Sequence, residues 1–412
     1  NVMTGILGAG MLLCNTAALD IQQLTHDVSV VNIEVPVRVY DGGRFVDFLT
    51  KDDFEVYENG VLQTVEAAYL IRKTEIVRSQ AEAKPGLTVP APPVQPDESI
   101  KRRVFLLYFE MDEYPPETNK AVDYLFENVL IDTDVVLFVT PNEQWKVTMS
   151  PDQMNRRADL AKEVKSRLAK SLRKSGLFVR GLIRELHDLA VYDDNDPWIK
   201  GKRVEDICDQ ILAYKILSEK KFRDFAGYFK PVEGQKHVFI FYQEETFSVP
   251  ALFRYIYEKR IVDRHNQIDK ALIREIFSDA ETTVHFVYLR KHKNARGDVE
   301  YSGMKLDLPS RGEGGAQLGE MSTGTTDMAM DLVLPGDIFS AFHNLAVTTG
   351  GLAESTFNPV FGMKRVADAA ENYYLLYYRP TSSPADKSFK KIEVKVKTGS
   401  YKIIHRSGYI NG

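Results

Sequence analysis

The sequence predicts an α/β fold: a mostly parallel sheet with helices on both faces, inserted into a β-sandwich formed by the N- and C-terminal segments. Two observations carry this. Residues 28–73 and 373–406 show a hydrophobic period of two, the mark of half-buried strands. Between them, unbroken apolar runs at 104–109 (VFLLYF), 135–139, 238–242 (VFIFY) and 284–289 (VHFVYL) alternate with stretches of helical spacing. Such runs suit strands buried on both faces, and their alternation with helices suits a covered parallel sheet. Neither terminal stretch is long enough to close a core alone, so each is expected to take strands from the other.

Taken in order, residues 1–19 carry no charge, and the run 5–13 (GILGAGMLL) precedes the small residues Thr16, Ala17 and Ala18. This reads as the remnant of a secretory signal, with a retained membrane anchor as the alternative. Residues 28–77 form the N-terminal part of the sandwich. Val31, Ile33, Val35, Val37 and Val39 alternate with polar positions up to Asp41-Gly42-Gly43, and Asn59-Gly60 marks a hairpin. Residues 78–100, with Pro85, Pro90, Pro92, Pro93 and Pro96, read as an extended linker and domain boundary.

The central domain spans 101–371. After its first strand, apolar residues at 121, 122, 125, 126 and 129 predict a helix over 116–130, and 145–149 is expected to pair with 135–139 through the Pro141-Asn142 turn. Helices are predicted near 152–170, 172–190 and 203–228, and again over 249–279. Residues 297–335, rich in glycine and without a buried-strand pattern, read as a long excursion. A helix at 338–348, Gly350-Gly351, a short strand and a helix at 359–372 follow; residues 372–412 then return to strands at 373–378, 391–396 and 401–406.

Composition narrows the function. The 412 residues carry 53 Lys and Arg against 58 Asp and Glu, a net charge of -5, which gives no electrostatic basis for nonspecific nucleic-acid binding. Two cysteines, Cys14 and Cys208, make neither a disulfide framework nor a four-ligand zinc site. Cys208 shares an apolar helix face with Val204, Ile207 and Ile211 and reads as a buried structural residue. No Ser, His and Asp set stands out as a nucleophilic triad, so no enzyme is expected.

Several motifs together are specific. VPVRVYDGG (35–43) is followed by FLTKDDFEVYENGVLQ (48–63); near the end come LAVTTGG (345–351), ENYYLLYYRP (371–380), KKIEVKV (390–396) and SGYI (407–410). In their order and spacing the chain resembles the bacterial VWFA-related proteins best known from acidobacterial genomes, from about residue 28 onward, and its middle resembles a von Willebrand factor A domain. The resemblance implies a place for chemistry. An intact A domain binds a divalent cation through Asp-x-Ser-x-Ser after the first strand, a Thr in a second loop and an Asp after the fourth strand, leaving a position for a partner's carboxylate. Here those positions fall on Glu110-Met111-Asp112-Glu113-Tyr114 and on Gln243, and no Thr can be placed. The metal-site positions Glu110, Asp112, Tyr114 and Gln243 are therefore degenerate, and no metal or other cofactor is expected; Mg or Ca in a noncanonical acidic geometry is the alternative.

Glu110, Asp112 and Glu113 after one strand, and Glu244 and Glu245 after its neighbour, could share a carboxylate rim, or be ordinary solvated loop residues. With Tyr114 and Phe247 as apolar anchors, Glu113, Tyr114, Glu244, Glu245 and Phe247 form the candidate partner-binding set. Lesser candidates read as structure: Asp193–Pro197 as a helix-ending turn, the basic residues Arg290, Lys291, Lys293 and Arg296 as a solvated loop, His285 as a satisfied residue within a strand, and Gly312–Gly315 as no phosphate loop. The expected function is a noncatalytic, extracytoplasmic protein–protein interaction module within an envelope or surface assembly, with another protein as partner. The alternative is a metal-dependent adhesion protein.

Overall fold

Val35, Val37 and Val39 fall on one side of β1 (Ile33–Asp41) and are fully buried, as a period of two requires. The computed structural model that shows this describes residues 32–81, 102–191, 197–215, 219–243, 246–249, 276–277, 281–290, 330–333, 337–381, 386 and 388–409. The predicted signal or anchor, most of the linker, nearly all of the helix expected at 249–279 and most of the glycine-rich excursion lie outside the described residues.

The N-terminal segment continues through β2 (Arg44–Phe45), β3 (Phe54–Glu58), β4 (Val61–Gln63), β5 (Val65–Arg72) and β6 (Glu75–Ala81). Asn59 and Gly60, both at positive φ, make the two-residue turn between β3 and β4, a conformation that Asn-Gly adopts readily. β6 reaches Ala81, so the strand runs past the boundary expected at 77; its Ile76 and Val77 are too few to register as a period. The C-terminal segment supplies β15 (Asn372–Tyr378), β16 (Lys390–Val396), β17 (Lys402–His405) and β18 (Gly408–Tyr409). Strands from both ends interleave. One sheet runs β17-β1-β15-β5-β6 with β2 beside β1, and a second runs β18-β16-β3-β4. Val35, Val56, Leu70, Leu376 and Val394 belong to one apolar cluster lined by both sheets. Within it, the buried Glu58 side chain accepts hydrogen bonds from Tyr378 Oη (2.7 Å) and Tyr409 Oη (2.9 Å), so that carboxyl oxygen is satisfied.

The central sheet is built from β7 (Arg103–Glu110), β8 (Val135–Val139), β9 (Gln144–Thr148), β10 (Gln235–Gln243), β12 (Thr282–Leu289) and β14 (Ala353–Thr356). Its order is β14-β12-β10-β7-β8-β9, parallel throughout except for β9, which folds back on β8. Every residue of β7 is buried, which explains its unbroken apolar sequence. A short antiparallel pair, β11 (Thr246–Val249) with β13 (Met330–Val333), lies outside this sheet. The strand at 330–333 differs from the expectation of an irregular 297–335, because four residues are too short to show a period.

Helices cover both faces. On one, α1 (Glu117–Tyr124), the π turn that extends it to Val129, and α7 (Pro359–Glu371) pack against Phe105, Leu107, Phe239 and Phe241. On the other, α4 (Pro197–Lys215), α5 (Glu219–Phe229) and α6 (Asp337–Thr348) pack against Leu106, Tyr108, Ile240 and Phe286. Cys208 is buried there. Two helices expected at 152–170 and 172–190 are instead a single turn-and-a-half, α2 (Pro151–Asn155), and one unbroken helix, α3 (Arg157–Val191). Nothing between 157 and 191 stops a helix, since Gly176 and Gly181 each cost only about 1 kcal/mol and no proline intervenes. α3 belongs to both layers: Val164, Leu168 and Leu172 pack in the first cluster, Leu182, Leu186 and Leu189 in the second. It therefore crosses from one face of the sheet to the other over the carboxyl ends of β7 and β8.

Buried polar contacts join the interleaved strands to the central sheet. Arg103 at the start of β7 pairs with Asp134 (Nη2 to Oδ2, 2.6 Å), both fully buried, and also donates to the Val129 carbonyl. Glu371, where α7 meets β15, lies 3.5 Å from Lys73 and 3.8 Å from Arg103. Arg38 of β1 is buried and donates to the carbonyls of Ala369 and Gly350. Gly350-Gly351 is required here: a Cβ on Gly351 would stand 1.9 Å from the Val284 carbonyl oxygen.

Candidate functional site

β7 and β10 are parallel neighbours, with Glu110 in register with Tyr242, so the residues that follow them meet at one end of the sheet. In open α/β sheets this carboxyl end is where ligands bind. The structure brings Glu110, Asp112, Glu113 and Gln243 together there. Glu110 is 2% exposed, Asp112 and Gln243 4% each. The Glu110 carboxylate accepts from the Tyr108 hydroxyl. Gln243 Oε1 accepts from two backbone amides, Asp112 N at 3.2 Å and Glu113 N at 3.0 Å. A neutral side-chain oxygen thus ties the loop after β7 to the end of β10, at the position where the resemblance implies a metal-binding Asp.

Tyr114 is half-buried against the apolar cluster of the first helix layer, and its hydroxyl donates to Asn119 Oδ1 at 2.9 Å. Burial, with Asp123 nearby, pushes its phenol up to about 12, so the ring is a neutral clasp for the loop. Glu113 is partly exposed. Glu244 and Glu245 lie outside the described residues. The backbone of Phe247 is in β11, opposite Leu332 of β13, rather than in a loop.

The expected carboxylate rim is therefore corrected at two of its members. Glu110 and Asp112 do not face solvent: Glu110 is held inward by Tyr108, and α3 passes directly over Asp112. A Cβ on Gly176 would come within 2.1 Å of the Asp112 carbonyl oxygen, an approach only glycine permits. Around this crossing, small polar groups satisfy one another. Thr140 Oγ1 and Ser171 Oγ are 2.7 Å apart, and Asn142 Nδ2 donates to Ser175 Oγ (2.6 Å) and to the Ser171 carbonyl (2.9 Å). The sequence marks Asn142 only as a turn residue and does not single out Thr140, Ser171 or Ser175. Their signal is Ser171, Ser175 and Gly176 at helical spacing on a face otherwise lined by Leu and Val.

The donor set does not fit the cation that the resemblance implies. Its acidic member after β10 is an amide already engaged by two N–H groups, Glu110 is held by Tyr108, and the nearby hydroxyls are turned toward one another. Among the described residues no group of three or more His, Cys, Asp or Glu side chains could hold a metal ion.

His285 is fully buried. Its Nδ1 accepts from Leu352 N (3.2 Å) and its Nε2 lies 3.3 Å from His237 Nδ1. Arg290 lies over the Phe357 ring, while Lys291, Lys293, Arg296, Asp193–Asp196 and Gly312–Gly315 lie outside the described residues.

Comparison with known proteins finds no family model that matches the chain. No curated protein matches it. Among solved structures it is similar to an aerotolerance-related membrane protein from Bacteroides fragilis, with 7% identity and a TM-score of 0.25, over 65% of this chain and 98% of that one. A likeness at that score carries no argument about function. No described helix is long and apolar enough to cross a membrane.

Proposed function

We propose that the chain is a noncatalytic protein-interaction module acting outside the cytoplasm, a von Willebrand A-like sheet inserted into a β-sandwich, whose strand-end loops are held by hydrogen bonds in place of a divalent cation. The observation that carries this reading is the double acceptance by Gln243 Oε1 from Asp112 N and Glu113 N. An amide there supplies the geometric role of a bound ion, pinning two loops, without its charge. The crossing of α3 above Asp112 supports the same reading, since it leaves Asp112 only 4% exposed. The partner in this reading is another protein, with neither nucleic acid nor cofactor required. The extracytoplasmic location rests on residues 1–19 and on the motif resemblance.

Titration calorimetry with magnesium, manganese and calcium tests it, alongside thermal melts with and without EDTA. No saturable heat and an unchanged melting temperature are expected. Stoichiometric binding of any of the three ions, weakened by Asp112→Asn, would overturn the reading in favour of a metal-dependent adhesion protein. Fractionation of cells expressing the full chain tests the location.

A further inference from the structure

The outward side of α3 has a composition unlike the rest of this mildly acidic chain. Between Glu163 and Glu185 the helix contains no Asp or Glu, while Lys and Arg recur throughout. Its exposed stripe carries Lys170, Arg173, Lys174 and Arg184. Among them stand two large apolar side chains facing water: Leu177 is 65% exposed and Phe178 45%. A shallow depression of about 520 Å³ lies alongside, lined by Ser166, Ala169, Lys170, Arg173, Lys174 and Leu177. Lys170, Arg173 and Lys174 enter no ion pair among the described residues. On the opposite side, Ser175 and Gly176 are clamped against Asn142 and Asp112, so the stripe is presented by a rigidly seated helix.

Lys170, Arg173 and Lys174 beside exposed Leu177 and Phe178 call for an occupant that is both anionic and apolar just beneath its surface. Lysine is depleted in protein–protein interface cores, whereas Lys and Arg beside Leu and Phe are what interfacial helices place at the boundary of headgroups and acyl chains. The acid-free segment of α3, residues 164–184, is roughly 30 Å long and presents these side chains along one stripe. We propose that this face of α3 is a docking surface for an anionic phospholipid bilayer, with Lys170, Arg173 and Lys174 meeting headgroup phosphates and Leu177 and Phe178 entering the acyl boundary. This is independent of how the strand-end loops are held, and it survives either outcome of the metal titration.

The test is sedimentation of the full chain with vesicles of phosphatidylcholine alone and of phosphatidylcholine with phosphatidylglycerol. Binding to the neutral vesicles sets the baseline, and the excess on anionic vesicles is the quantity compared. That excess is expected for the wild type and is expected to weaken with salt. Each basic residue near an anionic surface contributes about fivefold in partitioning, so replacing three gives a loss of roughly a hundredfold or more. The combined variant Lys170→Glu, Arg173→Glu, Lys174→Glu is expected to show that loss, and Leu177→Ser with Phe178→Ser to reduce binding severalfold. Both sets change solvent-facing positions, and circular dichroism melts confirm that each variant folds; one that does not is replaced by its Gln or Ala counterpart. Absence of wild-type binding to anionic vesicles overturns the proposal, as does undiminished binding in either folded variant. Capture of soluble polyglutamate without vesicle binding also overturns it and assigns the face to an acidic protein instead.

Discussion

His237 and His285 are paired imidazoles buried between the central sheet and the interleaved strands, and their protonation state is set by where they lie. Burial holds both well below the ordinary value of 6.5, aided by Arg38 and Arg103 for His237 and by His237 and Arg38 for His285. Both are neutral in the fold, while the unfolded chain protonates them below 6.5. Their contribution to stability is therefore complete above that pH and is lost as the pH falls below it, by about 1.4 kcal/mol per pH unit for each ring. His237→Phe keeps the stacking on Phe105 and removes one titrating ring, so the acid-side slope of urea stability between pH 6.5 and 5 should become shallower by about 1.4 kcal/mol per pH unit, with His285 and the buried His405 still contributing. An unchanged slope would show that the pair does not set acid sensitivity. Asp368 and Glu371, whose carboxyls burial pushes up, bias the profile the other way, and the difference between variant and wild type cancels them. The sequence made His285 legible as a satisfied strand residue because strand alternation constrains it locally. Its partner His237 was not legible, because it comes from the neighbouring strand and a sequence does not state which strands pair. Gln243 was legible as a departure from a motif, yet its two backbone contacts depend on a loop whose course only the fold sets.

At the scale of the element, α3 decides what the strand ends can do. Its helical character is plain from the spacing of Val164, Leu168, Leu172, Val179, Leu182 and Leu186, but that spacing does not say that the first half serves one face of the sheet and the second half the other. Two glycines on this helix make a controlled comparison. A Cβ on Gly181 meets nothing within 4 Å, whereas one on Gly176 meets the Asp112 carbonyl oxygen. Gly181→Ala should stabilise by up to about 1 kcal/mol through helix propensity. Gly176→Ala should destabilise by about 1 to 3 kcal/mol, the cost of overpacking against backbone that cannot yield. Urea unfolding of the two variants checks both signs at once. Equal effects would mean that α3 does not bear on the loop as closely as 2.1 Å implies.

Across the whole molecule, what was legible was the change of hydrophobic grammar, from a period of two to unbroken runs with helices and back again. The buried charges were not, since Arg103 and Asp134, which tie the start of β7 to the start of β8, read as ordinary strand-flanking residues until both are seen to be fully buried and 2.6 Å apart. Removing one partner strands the other in a dry interior, so Asp134→Ala should cost about 3 to 5 kcal/mol, while Arg103→Met with Asp134→Leu should cost much less. Denaturant midpoints for single and double variants measure this, and a double variant as unstable as the single would mean that the pair is itself worth its burial. The interleaving of the two ends has a further consequence, for how the chain is made. β1 lies between β15 and β17, and the Tyr374 hydroxyl that donates to Val46 O is 328 residues further along the chain. At ribosomal speeds of about 5 to 20 residues per second, the first strands wait roughly a quarter of a minute or longer before their neighbours exist. Throughout that interval β1, apart from its short pairing with β2, has open edges and a row of buried-type valines, an invitation to aggregate. Release of the chain before its last strands are made should therefore leave its beginning without a fold of its own, and a fragment ending before residue 372 should aggregate.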